Sequence, residues 1–171
     1  LADVTDDYLH KTIRLGRPGR VMPAFQRLSD AQVDAIVRFL RMRTQTADPG
    51  FGDVDVVGDV ERGALVYAEH CTKCHADDGS GEGEGTGVTQ SRERSFLVMP
   101  ASISNSGFLA SASDEMIRRV VVKGRKFSGM PAFGTGKLDE QQIDDVVAYV
   151  RAFEQQVDAP EALTDDERPT H

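Results

Sequence analysis

The chain has 171 residues, room for one ordinary domain or two small ones, with 28% charged residues, 6% aromatic residues and no tryptophan. Its formal net charge of −8 argues against nucleic acid as a partner. No apolar run approaches the length of a membrane span.

The charge is uneven. Residues 1–48 hold eight Lys/Arg against six Asp/Glu, net +2, and residues 49–171 hold twelve against twenty-two, net −10. An acidic second part serves solubility, or it steers the chain towards a partner with a basic docking face through an attraction that salt screens. The chain begins at Leu1 rather than Met and shows no signal peptide, which reads as a mature or trimmed product.

Thr5 reads as the N-cap of a first helix, with Asp6 and Asp7 in the first turn, where the helix dipole favours acids. Gly16-Arg17 and Met22-Pro23-Ala24-Phe25 follow. Ser29 and Gln32 form a capping box. Behind it Val33, Ile36, Val37 and Leu40 keep the i, i+3, i+4, i+7 spacing of a helix with one buried face. Residues 45–58, with Pro49, Gly50 and Gly52, read as a linker. A third helix starts near Asp59 and carries Leu65, Val66 and Tyr67 up to Cys71.

Cys71-Thr72-Lys73-Cys74-His75 uses both cysteines of the chain and reads as a c-type haem attachment site. Two thiols one helical turn apart can bond the two vinyl groups of one haem, and the next imidazole can reach the iron from the proximal side. A structural zinc site needs four ligands; here there are three, and His10, His70 and His171 lack finger-like spacing. A thioredoxin-type motif needs a βαβ context that is absent. A disulfide between cysteines so close in sequence would close a tiny loop and stabilise little. Covalent haem implies a non-cytoplasmic setting, periplasmic in a bacterium.

Residues 77–87 hold five glycines and read as a loop, and little of the sequence reads as strand. Ser113, followed by Asp114 and Glu115, caps a further helix. Gly124-Arg125 and Met130-Pro131-Ala132-Phe133 come next, then Asp139 and Gln142, which imitate a capping box. Ile143, Val146, Val147 and Val150 repeat the buried-face spacing. From residue 158 the chain is acidic and proline-punctuated and reads as an extended or disordered tail.

The iron of a haem at His75 needs a ligand on its other side. Met130, well downstream in a Gly129-Met130-Pro131 turn that follows a helix, is the candidate. A thioether opposite an imidazole favours reduced iron, raises the potential and keeps small substrates off the metal. Met99 is the rival, since it too precedes a proline, although it follows His75 far more closely. Met116 sits on an apolar helix face and reads as core. His70 reads as an exposed or structural side chain and His10 as a helix-surface residue.

An internal repeat strengthens Met130. Thr5 to Leu9 parallels Ser113 to Ile117, Gly16-Arg17 parallels Gly124-Arg125, and Met22-Pro23-Ala24-Phe25 parallels Met130-Pro131-Ala132-Phe133, all at one constant offset. After a short insertion the capping residues and the apolar positions of the last helix match as well. Met99 has no counterpart. The first 43 residues therefore read as the back half of a second haem domain, with Met22 a possible ligand of a second haem. The missing attachment motif belongs to a longer protein, or comes from another polypeptide, or has been lost so that this segment only packs or docks. About 45 residues bury little core alone and must lean on something.

The attachment motif, the Gly-rich loop, Phe108-Leu109 with Ser113-Asp114, Gly124-Arg125, Met130-Pro131-Ala132-Phe133 and the closing helix resemble a class I cytochrome c domain of the bacterial mono- and dihaem type. The resemblance covers residues 58–154 whole and 4–43 as a C-terminal half. It implies an all-α fold whose first and last helices cross near the haem edge, with Gly63 and Tyr67 packed against Tyr149. Ala76 departs from the pattern, because the family usually has glycine there. The resulting division is a half domain at 1–44, a linker at 45–58, a complete domain at 59–154 and a tail at 155–171. The implied function is one-electron transfer through haem c held by Cys71, Cys74, His75 and Met130. Such a chain is no enzyme itself but a subunit or tethered module of a larger redox complex, exchanging electrons with redox partner proteins. The alternatives are a haem enzyme or its subunit, such as a dihaem peroxidase or a dehydrogenase cytochrome subunit, and a binding module that uses haem as a redox sensor or structural plug. Peroxidase chemistry needs an open iron and a nearby base; Met130 opposes the first and no histidine is placed for the second.

Overall fold

The computed structural model describes residues 1–19, 22–52, 54–81, 88–91, 94–97 and 100–157. Among them the helices run in order: α1 (Asp6–Leu15), α2 (Asp30–Thr44), α3 (Val60–His70), α4 (Thr72–His75), α5 (Ser106–Leu109), α6 (Asp114–Lys123) and α7 (Glu140–Val157). A two-stranded antiparallel ribbon, β1 (Val88–Ser91) with β2 (Arg94–Leu97), lies between α4 and α5 in the chain, with Val88 opposite Leu97. The protein is helical, as expected; the ribbon is an addition that the glycine-rich run before it concealed. The last helix runs past residue 154, to Val157.

The expected caps form. Thr5, Ser29 and Ser113 each accept from the backbone N–H of the third residue on. Asp139 and Gln142 complete a reciprocal box: Gln142 N–H donates to Asp139 Oδ1 (2.8 Å) and Asp139 N–H to Gln142 Oε1 (3.0 Å). Each cap satisfies donors that a helix start would otherwise leave orphaned.

The domain is organised by α3 crossing α7. Gly63 permits it: a Cβ there would lie 2.0 Å from Asp145 O and 2.9 Å from Tyr149 Cβ. One turn on, Tyr67 stacks on Tyr149 (ring centroids 5.0 Å) and Phe153 (5.8 Å). The buried Asp145 carboxylate on α7 accepts from Asp59 N–H (2.7 Å), Arg62 Nε (2.8 Å), Arg62 Nη2 (3.0 Å) and Gln141 Nε2 (2.9 Å). The start of α3 is thus capped by a residue of the last helix.

The two repeats fold alike. Arg151 of α7 bonds Asp114 and donates to Leu109 O and Ala112 O. Arg41 of α2 does the same with Asp6, Leu1 O and Val4 O. The acceptors keep the constant offset of the repeat, and the arginines are displaced only by the insertion that precedes them. This clamp is therefore part of the repeat, and comparing charged as well as apolar positions would have exposed it. The apolar faces differ, however. Ile143, Val146, Val147 and Val150 are all buried, but of the matching set only Val33 and Val37 are. Ile36 is 37% exposed where Val146 is 2%, and Phe25 is 44% exposed where Phe133 is 6%. Among the described residues no α3 equivalent lies on α2.

Hydrogen bonding from Arg62, before all other causes, holds the Asp145 carboxyl at about 2, below its ordinary 3.8. A depressed folded-state value gives stability that is present above the unfolded pKa and is lost as pH falls through about 2. Asp145→Asn should lower the melting temperature at pH 7 and flatten the acid limb of the stability curve between about pH 4 and pH 2, read by circular dichroism melts across pH.

Candidate haem-attachment site

The site starts where α3 ends. Cys71 N–H closes the last turn onto Tyr67 O (2.8 Å), and Cys71 O then accepts from Cys74 N–H (3.1 Å) and His75 N–H (2.9 Å). This tight continuation spaces the two cysteines one turn apart and puts His75 at the end of that turn. No disulfide joins them. Burial, with Cys74 nearby, pushes the Cys71 thiol up to about 12. Among the described residues no three His, Cys, Asp or Glu side chains are grouped to hold a metal ion.

His75 is half-buried, and its Nδ1 lies 3.1 Å from Ala101 O. With Nδ1–H donating to that carbonyl, the lone pair stays on Nε2, the atom that must face a metal. Burial lowers the His75 pKa, with the Ala101 bond opposing it in part, and so favours the neutral imidazole that can ligate. Gly81 N–H holds His75 O (2.9 Å).

The backbone at Ala76 shows why glycine suits this position. It adopts φ +60°, ψ 169°, a conformation that glycine takes freely and an L-residue takes at a cost. Ala76 N–H bonds Thr72 O (2.8 Å) and Tyr67 OH donates to Ala76 O (2.8 Å), so the strain is held by the turn and by the buried tyrosine.

Met130 is half-buried and packs on the core of the same domain. Its turn is pinned by a reciprocal backbone pair with Arg125, Arg125 N–H to Met130 O (2.9 Å) and Met130 N–H to Arg125 O (3.2 Å). Gly124, at φ +66°, lets the turn close, since a Cβ there would lie 2.6 Å from Met130 O. Met22 sits in a matching turn: Arg17 N–H bonds Met22 O (2.8 Å), and a Cβ on Gly16 (φ +67°) would lie 2.7 Å from that oxygen. Met116 is core, as expected. Met99, His171 and residues 82–87 lie outside the described residues. His10 pairs with Asp34 (3.1 Å), and His70 packs near the Phe133 ring.

The residues fit a covalently bound haem. Two thiols stand one turn apart, an imidazole is oriented by a carbonyl, and a thioether lies in the same domain. In the same domain Val66, Ile103, Phe108, Val122 and Tyr149 are only partly covered although they pack on the core. Such a set of half-exposed apolar side chains suits a flat apolar macrocycle.

These features define the c-type cytochrome class, and comparison with known proteins agrees. Residues 58–150 match the family described as cytochrome c oxidase, cbb3-type, subunit III, so the chain belongs to that family of electron carriers, whose cofactor is haem c. A gluconate 2-dehydrogenase cytochrome c subunit of Pantoea cypripedii is 26% identical over 175 residues, covering 86% of this chain and 36% of the relative. The chain thus spans about a third of that relative's length. A chain of the Kuenenia stuttgartiensis reducing HAO-like protein complex shares the fold at TM-score 0.59 and 22% identity, over 87% of this chain and 72% of that one. No described helix is long and apolar enough to cross a membrane.

Relieving the strain at Ala76 tests the local geometry. Ala76→Gly should raise stability by about 1 kcal/mol, since positive φ with extended ψ costs an L-residue about 1–3 kcal/mol and glycine's extra unfolded entropy returns part of that, as read by thermal or urea unfolding of the holoprotein.

Proposed function

We propose that this chain carries single electrons through a haem c attached at Cys71 and Cys74, with His75 and Met130 as the axial ligands. The observation that carries this reading is the Nδ1 contact of His75 with Ala101 O, because it frees Nε2 at the end of a Cys-x-x-Cys-His turn. When bound, haem c supplies a one-electron couple. The chain's residues fix the imidazole and offer a thioether from a pinned turn. With Met130 as second ligand the iron would have no position left for substrate, and the chain would pass electrons rather than transform small molecules.

Met130→Ala tests the assignment. The midpoint potential should fall by on the order of 0.1 V, a fraction of the ~0.8 V over which axial ligands set haem potentials, and the reduced protein should bind carbon monoxide readily. A spectrum and potential like those of the parent protein would remove Met130 as ligand.

The gluconate 2-dehydrogenase cytochrome c subunit among the relatives supports a place in a larger redox complex, as the cytochrome module of a dehydrogenase assembly. Covalent haem fits an extracytoplasmic, periplasmic location. The net charge of −10 over residues 49–171 favours a partner with a basic docking face.

Residues 1–44 are the back half of a second cytochrome domain, with Met22 a ligand of a second haem. The Gly16–Met22 turn is built like the Gly124–Met130 turn, the α2 face that an α3-like helix would cover is bare at Ile36 and Phe39, and Phe25 before it is exposed too. The occupant of that face is a helix of the α3 kind that ends in its own haem, supplied by the same polypeptide or by another. Haem counting on the native protein, by pyridine haemochrome against protein mass, should give one more haem than this chain's single attachment motif provides. A count that matches the motif would leave Met22 without a metal.

A further inference from the structure

One side chain ties the first repeat to the haem domain. Arg17 Nη1 donates to Gly107 O (2.9 Å) and Gly16 O (2.7 Å), and lies 3.5 Å from Ser111 Oγ. Its Nη2 donates to Tyr8 OH (2.9 Å) and Thr12 Oγ1 (2.8 Å), and its guanidinium lies over the Tyr8 ring at 5.6 Å. Beside it Asn105 Nδ2 donates to Pro18 O (2.7 Å). Gly107 lets the two backbones touch, since a Cβ there would lie 2.3 Å from Gly16 O.

The repeat itself shows that this apparatus is specific to the joint. The counterparts of Tyr8 and Thr12 are Met116 and Val120, which offer no acceptor, and the counterpart of Arg17, Arg125, is exposed. The polar groups that seat the guanidinium occur only in the copy that abuts α5. A planar five-donor fork can serve both repeats at once, which a lysine cannot.

The joint also lies on a bonded route between the two candidate sites. Arg17 N–H holds Met22 O, Arg17 Nη1 holds Gly107 O, and a short way back along the chain Ala101 O orients His75. We propose that Arg17 is the pin between the first repeat and the haem domain. It is a positioning residue that keeps the Met22 turn in fixed register with the segment orienting His75. The electron-exchange part rests on the second haem proposed above: were haem c held at both Met22 and His75, the fixed register would set how fast a single electron passes from the reduced one to the oxidised one, with no atom transferred.

The test uses the native holoprotein with Arg17→Met, Arg17→Lys and Gly107→Ala, the last wedging the joint without touching the arginine. The readouts are protease cleavage within residues 45–58 and the rate of electron equilibration between haems after photochemical injection. Losing the charged hydrogen bonds in Arg17→Met, and forcing Gly16 away in Gly107→Ala, should each speed cleavage about tenfold and slow equilibration about tenfold. Arg17→Lys should fall between these and the parent, with helical content and the haem spectrum unchanged in all three. Parental cleavage in both Arg17→Met and Gly107→Ala would overturn the joint. Faster cleavage with parental equilibration in a two-haem protein would overturn the positioning role. A count without the second haem removes only the electron-exchange part, and cleavage still decides the joint.

Discussion

The crossing of α3 over α7 is the constraint on which the haem-attachment turn depends. A glycine at 63 lets the helices touch, Tyr67 fills the crossing against Tyr149 and Phe153, and Asp145 caps the start of α3 from the other side of the sequence. With both ends of α3 fixed, Cys71 falls at its last turn and the residues up to His75 have one way to continue. Tyr67 then reaches past the helix end to Ala76 O, so the aromatic contact that packs the crossing also braces the turn behind His75. Replacing Gly63 or Asp145 would disturb where two thiols and an imidazole stand, although neither lies in the turn itself.

Much of this was legible in the sequence because it was written in local chemistry. The caps at Thr5, Ser29, Ser113 and Asp139 rest on side chains within one turn of their partners, and the Cys71–His75 spacing fixes its own geometry. The repeat supplied Met130 with a twin, and both methionines occupy turns of the same construction. What stayed hidden depends on contacts far apart in the chain. Periodicity assigns Ile36 and Val146 the same buried role, but burial depends on a covering helix that only α7 has among the described residues. Ala76 reads as a harmless substitution until its φ of +60° shows what glycine would relieve. Arg17 and Arg125 are identical in the repeat, and only the identities at 8 and 12 against 116 and 120 separate the clasped arginine from the exposed one. The ribbon at 88–97 follows a glycine-rich stretch whose composition points to loop.

The charges divide into two kinds. Arg41 and Arg151, each holding an aspartate and two carbonyls, are structural fasteners of the two repeats. Arg62 belongs with them, since its partner Asp145 is buried in α7. Removing one member of such a pair leaves a desolvated charge without its partner, which costs far more than an exposed pair contributes. Pairs such as Lys11 with Asp7 lie on the helix surface and stabilise little. The acidic excess of residues 49–171 is thus available for long-range steering, while the arginines that shape the fold are committed elsewhere.

The capping of α3 by Asp145 has a further consequence for how the protein is made. Arg62 and its carboxylate are 83 residues apart, so the first helix of the haem domain gains its anchor only after nearly the whole domain has been synthesised. Until then the thiols sit on a stretch that local forces alone hold weakly, because so short a helix is marginal without tertiary support. The turn that carries the two thiols therefore takes its final geometry only once the last helix has packed.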